Sequence, residues 1–68
     1  MLTFKLVSDS VGVVIESVEN ELEIEVGRIL WNPFWNSYVF HPGNSMFDSN
    51  ELKEIVNHVD ELLLQRKN

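Results

Sequence analysis

Trp31-Asn-Pro-Phe34-Trp35-Asn-Ser-Tyr38-Val-Phe40-His-Pro42-Gly43-Asn-Ser-Met-Phe47-Asp48-Ser-Asn-Glu51-Leu52 holds six of the chain's seven aromatic residues and runs straight into a helix start. Ile29 and Trp31, then Tyr38 and Phe40, alternate with other residues as in a strand. They predict a hairpin turning through residues 32–37, closed by a type II turn at Pro42-Gly43. With Asp48 as N-cap, Glu51 falls three residues on to complete a capping box. Phe47 and Leu52 then bracket the cap as a hydrophobic staple. Leu52, Ile55, Val56, Val59, Leu62 and Leu63 recur at helical period and predict a helix over residues 49–66. Acids in its first turns and Arg66-Lys67 at its end suit the helix dipole. The segment is therefore a hairpin leading into a helix, with aromatic side chains placed to join them.

Working back from Trp31, Leu22, Ile24 and Val26 alternate with Glu21, Glu23 and Glu25, as a strand with one wet face does. The parity breaks after Val26, and Gly27 at the break predicts a bulge or bend that resets the faces. Val11, Val13 and Ile15 define the inner face of an earlier strand, after a polar turn at Ser8-Asp9-Ser10. A tight turn at Glu19-Asn20 would set Ile15 opposite Ile24 and Val13 opposite Val26. Leu2, Phe4 and Leu6 begin the chain with one more alternating strand. The expected strands are residues 2–8, 11–18, 21–31 and 38–41. The expected architecture is α+β, an antiparallel sheet of about four strands with one C-terminal helix packed on a face. At 68 residues the chain is one domain, residues 1–68.

Composition narrows the function classes. No cysteine is present, which excludes disulfides and thiolate metal sites. No apolar run approaches the ~20 residues of a membrane span, and the N-terminus has no signal-peptide pattern. The expected location is the cytoplasm. The net charge of −6 is concentrated, because residues 6–27 hold Asp9, Glu16, Glu19, Glu21, Glu23 and Glu25 without a Lys or Arg. The absence of a basic patch argues against direct nucleic-acid binding.

Gly27-x-Ile29-x-Trp31, Trp35-x-x-Tyr38-x-Phe40-x-Pro42, Phe47 and Leu52-x-Glu54-Ile55 together form a spacing pattern over the C-terminal half. In this pattern the chain resembles a group of small, mostly uncharacterised proteins of bacteriophages and prophages. The resemblance implies a phage origin, hence a host-cell cytoplasm, and a hairpin-helix unit. It implies no activity and transfers no catalytic residue. Members are often basic between the two tryptophans, whereas this loop is uncharged, which removes a phosphate-contacting role for it.

Trp31, Tyr38 and Phe40 are expected in the core beneath the helix. Phe34 and Trp35 lie in the hairpin loop, where they either cap the core or stand exposed as interface anchors, with Trp31 in support. Glu16, Glu21, Glu23 and Glu25 read first as the solvated face of a strand. Their alternate spacing of ~6.6–6.8 Å also fits an acidic surface imitating nucleic-acid phosphates, an inhibitor of a host DNA-binding protein. The uncovered second face of the sheet leaves room for self-association, as a homo-oligomer.

His58, four residues after Glu54, suggests a surface ion pair on the helix. A metal site from His41, His58 and a carboxylate lacks the usual ligand spacing, and no metal or other cofactor is expected. Isolated glycines and the lack of paired groups in a cleft argue against an enzyme. The function expected is a protein–protein interaction module, binding a host or phage protein without catalysis and without a membrane.

Overall fold

A computed structural model describes residues 1–66. The chain forms β1 (Thr3–Ser10), β2 (Val13–Glu19), β3 (Glu25–Asn32), β4 (Ser37–Pro42) and α1 (Ser49–Arg66). The strands make one antiparallel sheet in the order β1-β2-β3-β4, each beside its sequence neighbour. The turn between β1 and β2 and the loop between β3 and β4 therefore lie at one end. The loop joining β2 to β3 lies at the other. The helix crosses one face of the sheet, and the opposite face is uncovered.

The helix begins as the capping residues require. Glu51 N–H donates to Asp48 Oδ1 at 2.8 Å, and Asp48 N–H donates to Glu51 Oε1 at 3.2 Å. Ahead of the cap, Phe47 packs edge-on against Phe40, ring centroids 5.4 Å apart, so the staple residue ties the helix to β4. Leu52 stays largely exposed, as does Val56. The face turned to the sheet carries Ile55 and Leu62, both buried, with Val59 and Leu63 half-buried beside them. Lys67 lies outside the described residues.

Leu2, Val18, Val26, Ile29 and Tyr38 complete the core from the sheet. Val18 and Ile29 are fully buried, each stabilising the fold by about 1.5–3 kcal/mol over its exposed state. Trp31 and Phe40 are half-buried against this core, so the aromatic hairpin does hold the helix to the sheet.

Two sequence expectations for β2 and β3 are corrected. The inner residues of β2 are Val14, Glu16 and Val18, because Glu16 pairs with Ile29 and Val18 with Gly27. Val13 and Ile15 face the uncovered side. The third strand starts at Glu25 rather than residue 21, since residues 20–24 form a loop stitched by Asn20. Its side-chain Oδ1 accepts from Leu22 N–H at 2.9 Å and Ile24 N–H at 3.1 Å. Glu23 takes a positive φ of 62° there, and Leu22 is 76% exposed. Of the alternating glutamates, Glu21 and Glu23 thus lie in a loop and only Glu25 belongs to the strand. An Asn that satisfies two backbone donors competes well with two further ladder pairs.

The bulge expected beside Gly27 is present. Val18 pairs with Gly27 and Glu19 with Glu25, so Val26 is the extra residue on β3. Gly27 has a second role, because Phe40 lies over it. A Cβ there would stand 2.5 Å from Phe40 Cζ and 2.7 Å from the His41 carbonyl oxygen.

Pro42-Gly43 does not form a type II turn, which would need a positive φ at the glycine. Gly43 N–H instead donates to Val26 O at 3.0 Å and carries the ladder past the proline. The first turn also sits later than Ser8-Asp9-Ser10. It is a two-residue turn at Val11-Gly12, both with positive φ as a type I′ hairpin requires.

Candidate functional site

The loop between β3 and β4 is Pro33-Phe34-Trp35-Asn36. Asn32 fixes its backbone, its Oδ1 accepting from Phe34 N–H at 2.9 Å and Trp35 N–H at 3.2 Å. Asn36 takes φ 53°, a left-handed conformation that asparagine adopts readily. The chain thus turns through four residues with little freedom, and Ser37 re-enters the sheet opposite Asn32. On this rigid tip Phe34 is 94% exposed and Trp35 73% exposed. Neither caps the core. Trp31 lies one turn below, its ring edge-on to Tyr38 at 5.2 Å and its face under the Arg66 guanidinium at 4.1 Å.

Beside the tip, on the helix side, a hollow of about 350 Å³ is lined by Trp31, Asn36, Leu63 and Arg66. Arg66 stands in its wall, a flat cation of the kind that stacks on aromatic rings. Just inside, the Tyr38 hydroxyl accepts from Val14 N–H at 3.2 Å. The β2–β3 ladder ends at Glu16 opposite Ile29, and this hydrogen bond satisfies β2 beyond that point.

The four glutamates do not share a face. Glu16 lies under the helix, where its carboxylate meets His58 Nε2 and the Phe4 ring stacks on the imidazole at 3.9 Å. Glu21 binds the Met1 amino group at 2.7 Å, which holds its carboxyl below the usual glutamate range. Glu25 accepts from Ser17 Oγ at 2.6 Å and from Arg28 Nε at 2.9 Å. Ser17 first, then Arg28, keeps its carboxyl below the usual range as well. Glu23 is exposed in the 20–24 loop.

His58 therefore pairs across to β2 and not with Glu54, whose carboxylate accepts from Leu2 N–H at 3.1 Å. Sequence reasoning missed this pair. The available signal was that His58 falls between Ile55 and Leu62 on the buried side of the helix. His41 sits opposite Arg28 on the uncovered face, so the two histidines are on opposite sides of the sheet. Among the described residues no cluster of three His, Asp or Glu is placed to hold a metal ion.

A second open hollow, about 330 Å³, lies along β3 and β4 between Glu25, Arg28, Leu30 and His41. Glu25 and Arg28 neutralise each other there, so it offers no concentrated charge. Among the described residues no helix is long and apolar enough to cross a membrane. Comparison with protein-family models, curated proteins and solved structures finds no match to the chain.

Proposed function

We propose that this is a small accessory protein of the bacteriophage type that acts as a protein–protein interaction module, with the β3–β4 hairpin tip as its contact surface. The observation that carries the reading is the exposure of Phe34 and Trp35 on a loop held rigid by Asn32. Exposed aromatic rings are the usual anchors of interfaces, and a fixed backbone spares the ordering cost that flexible loops incur on binding. Trp31 supports the tip from below and is itself steadied by Tyr38 and Arg66. The chemistry is recognition of a protein, in the host cytoplasm, without a catalytic step, a cofactor or direct nucleic-acid contact. Paired surface glutamates favour this over an acidic decoy, because the decoy needs its charges free and on one face.

The test is a Phe34→Ser, Trp35→Ser double variant. Capture of a protein partner is expected to fall at least tenfold while the thermal midpoint stays within a degree or two, since neither ring belongs to the core. Undiminished capture would remove the tip as the contact surface.

A further inference from the structure

The two edges of the sheet are not alike. β1 is bulged between Leu6 and Ser8 and carries Lys5 and Asp9, features that deter a further strand. β4 pairs with β3 without a shift in register and holds no Asp, Glu, Lys or Arg. Gly43 N–H bonds to Val26 O, so the bonded positions along this ladder alternate from there through His41, Val39 and Ser37. The main-chain groups of Tyr38, Phe40 and Pro42 therefore point away from β3, where no strand lies beside them among the described residues. The helix flank turned toward the same edge is apolar. Glu54 and His58 reach back to Leu2 and β2, while Leu52 and Val56 stand on the opposite flank, 48% and 56% exposed.

We infer that the β4 edge is a homodimer contact. β4 pairs antiparallel with β4 of a second copy about a twofold axis through Phe40, and the two Leu52–Val56 flanks face each other on the helix side. This contact is separate from the hairpin tip, and it leaves Phe34 and Trp35 of both copies free at opposite ends of one continuous sheet.

Three relationships single out a second copy. The first is symmetry, since two identical strands paired antiparallel are related by a twofold axis. Phe47, just before α1, packs on Phe40, and Arg66 at the end of α1 lies over Trp31, which pairs with Tyr38. The helix thus runs antiparallel to β4, and the two helices run antiparallel on the same face. The heights agree as well. His58 meets Glu16, Glu16 pairs with Ile29 and Ile29 with Phe40, so the axis passes the middle of the helix.

The second is the main chain. Phe40 N–H and C=O meet those of the partner's Phe40. Tyr38 N–H then donates to the carbonyl of the partner's Pro42. The proline has no N–H to return, and the Tyr38 carbonyl it would have served already accepts from Ser37 Oγ at 3.2 Å.

The third is charge. Lys53 and Asp60 border the apolar flank, about two turns apart and so on one side of the helix. Neither is in an ion pair among the described residues. Antiparallel helices related about their middle set Lys53 of each copy beside Asp60 of the other. A strand from an unrelated protein would fill the edge without using this pairing.

Sedimentation equilibrium from about 1 µM to about 1 mM, with amide hydrogen exchange at both ends of the range, tests the assignment. The wild type is expected to dimerise, and its Tyr38 and Phe40 amides to be protected only at high concentration. Val56→Glu is expected to weaken the dimer by about tenfold or more. Lys53→Asp and Asp60→Lys each set like charges across the axis and should weaken it by about tenfold. An equimolar mixture of the two restores opposite charges at both contacts and should dimerise as the wild type does. All three positions are exposed, so the thermal midpoint of the monomer should not move.

A wild type still monomeric at about 1 mM overturns the inference. If Val56→Glu then lowers capture of another protein, the edge takes a foreign strand instead. A dimer indifferent to the Val56 and charge variants, with Tyr38 and Phe40 amides unprotected, also overturns it. Phe34→Ser with Trp35→Ser should dimerise as the wild type does, and a monomeric double variant would move the contact to the tip and end the inference. Undiminished partner capture by that variant counts against the tip alone.

Discussion

The Glu16 carboxylate of β2 lies beneath the helix against His58 Nε2, and the Phe4 ring is stacked on that imidazole with only 6° between the planes. This three-residue contact joins β1, β2 and α1 at one point, and it sets which face of β2 is buried. Removing one member of a covered pair leaves the other without its partner, which costs more than the pair contributes. His58→Ala is therefore expected to destabilise the fold by about 1–3 kcal/mol, read from the urea midpoint. Glu16→Leu combined with His58→Leu should recover most of that loss. A double variant less stable than His58→Ala would mean that the pair contributes through something other than mutual satisfaction.

Gly27 has no room for a side chain. A Cβ would meet the Phe40 ring at 2.5 Å and the His41 carbonyl at 2.7 Å, and the second of these is backbone. Gly27→Ala is expected to cost about 1–3 kcal/mol. Adding Phe40→Leu should relieve the ring contact but not the carbonyl, so the rescue is partial. Full rescue in a thermal melt would place all of the strain in the ring.

Val11 occupies a left-handed conformation, φ 53°, at 96% exposure. A β-branched residue is strained there, and its exposed side chain gains nothing from packing in return. Val11→Asn or Val11→Gly is expected to stabilise the protein by about 1 kcal/mol, because both residues suit the first central position of a type I′ turn. For a domain of this size that raises the thermal midpoint by about 4–8 °C. An unchanged or lowered midpoint would show the valine to be held by a contact outside the turn.

Glu25 should contribute to acid sensitivity. The Ser17 hydroxyl and then Arg28 stabilise its charged form and lower its pKa in the folded state. A carboxyl depressed on folding adds stability that is complete above its unfolded pKa, about 4.3. That contribution disappears as the pH falls through the lower folded value. Glu25→Gln should thus be less stable than wild type at neutral pH, with the gap closing below about pH 4. Ser17→Ala should narrow the same gap. A difference that persists unchanged into acid would assign the effect of Glu25 to packing.

Legibility in the sequence followed the local strength of each signal. The capping box at Asp48 and Glu51 and the bulge beside Gly27 depend on residues close together in the chain, and both were readable; the staple partner was not, for Phe47 packs on Phe40 while Leu52 stays largely exposed. The architecture of an antiparallel sheet under one helix was readable too. The register of β2 was not, because Val13, Val14 and Ile15 are all apolar and either parity fits them. Ser17 and Val18 favour the parity seen, but Glu16 points the other way until His58, 42 residues later, is known to cover it. The row Glu21 to Val26 misled for a different reason. Its strict alternation is strand-like, but Asn20 captures the backbone donors first and bends the segment into a loop. At the candidate site, the sequence placed Phe34 and Trp35 in a turn but left their exposure open. The structure settles it, with both rings largely exposed on a loop whose backbone bonds to Asn32.

The strands follow one another in space as they do in sequence, so each ladder joins neighbours across a short connection. The helix adds to its local contact with β4 two of another kind, for Leu2 meets Glu54 and Glu16 meets His58 across separations of 52 and 42 residues. Hairpins close in about 1–10 µs, while joining distant segments carries a larger entropic cost. These costs favour forming the local ladders before the Leu2–Glu54 and Glu16–His58 contacts close. Substitutions at the Glu16–His58 contact should accelerate unfolding far more than they retard refolding, whereas those in the β3–β4 hairpin should act mainly on the refolding rate.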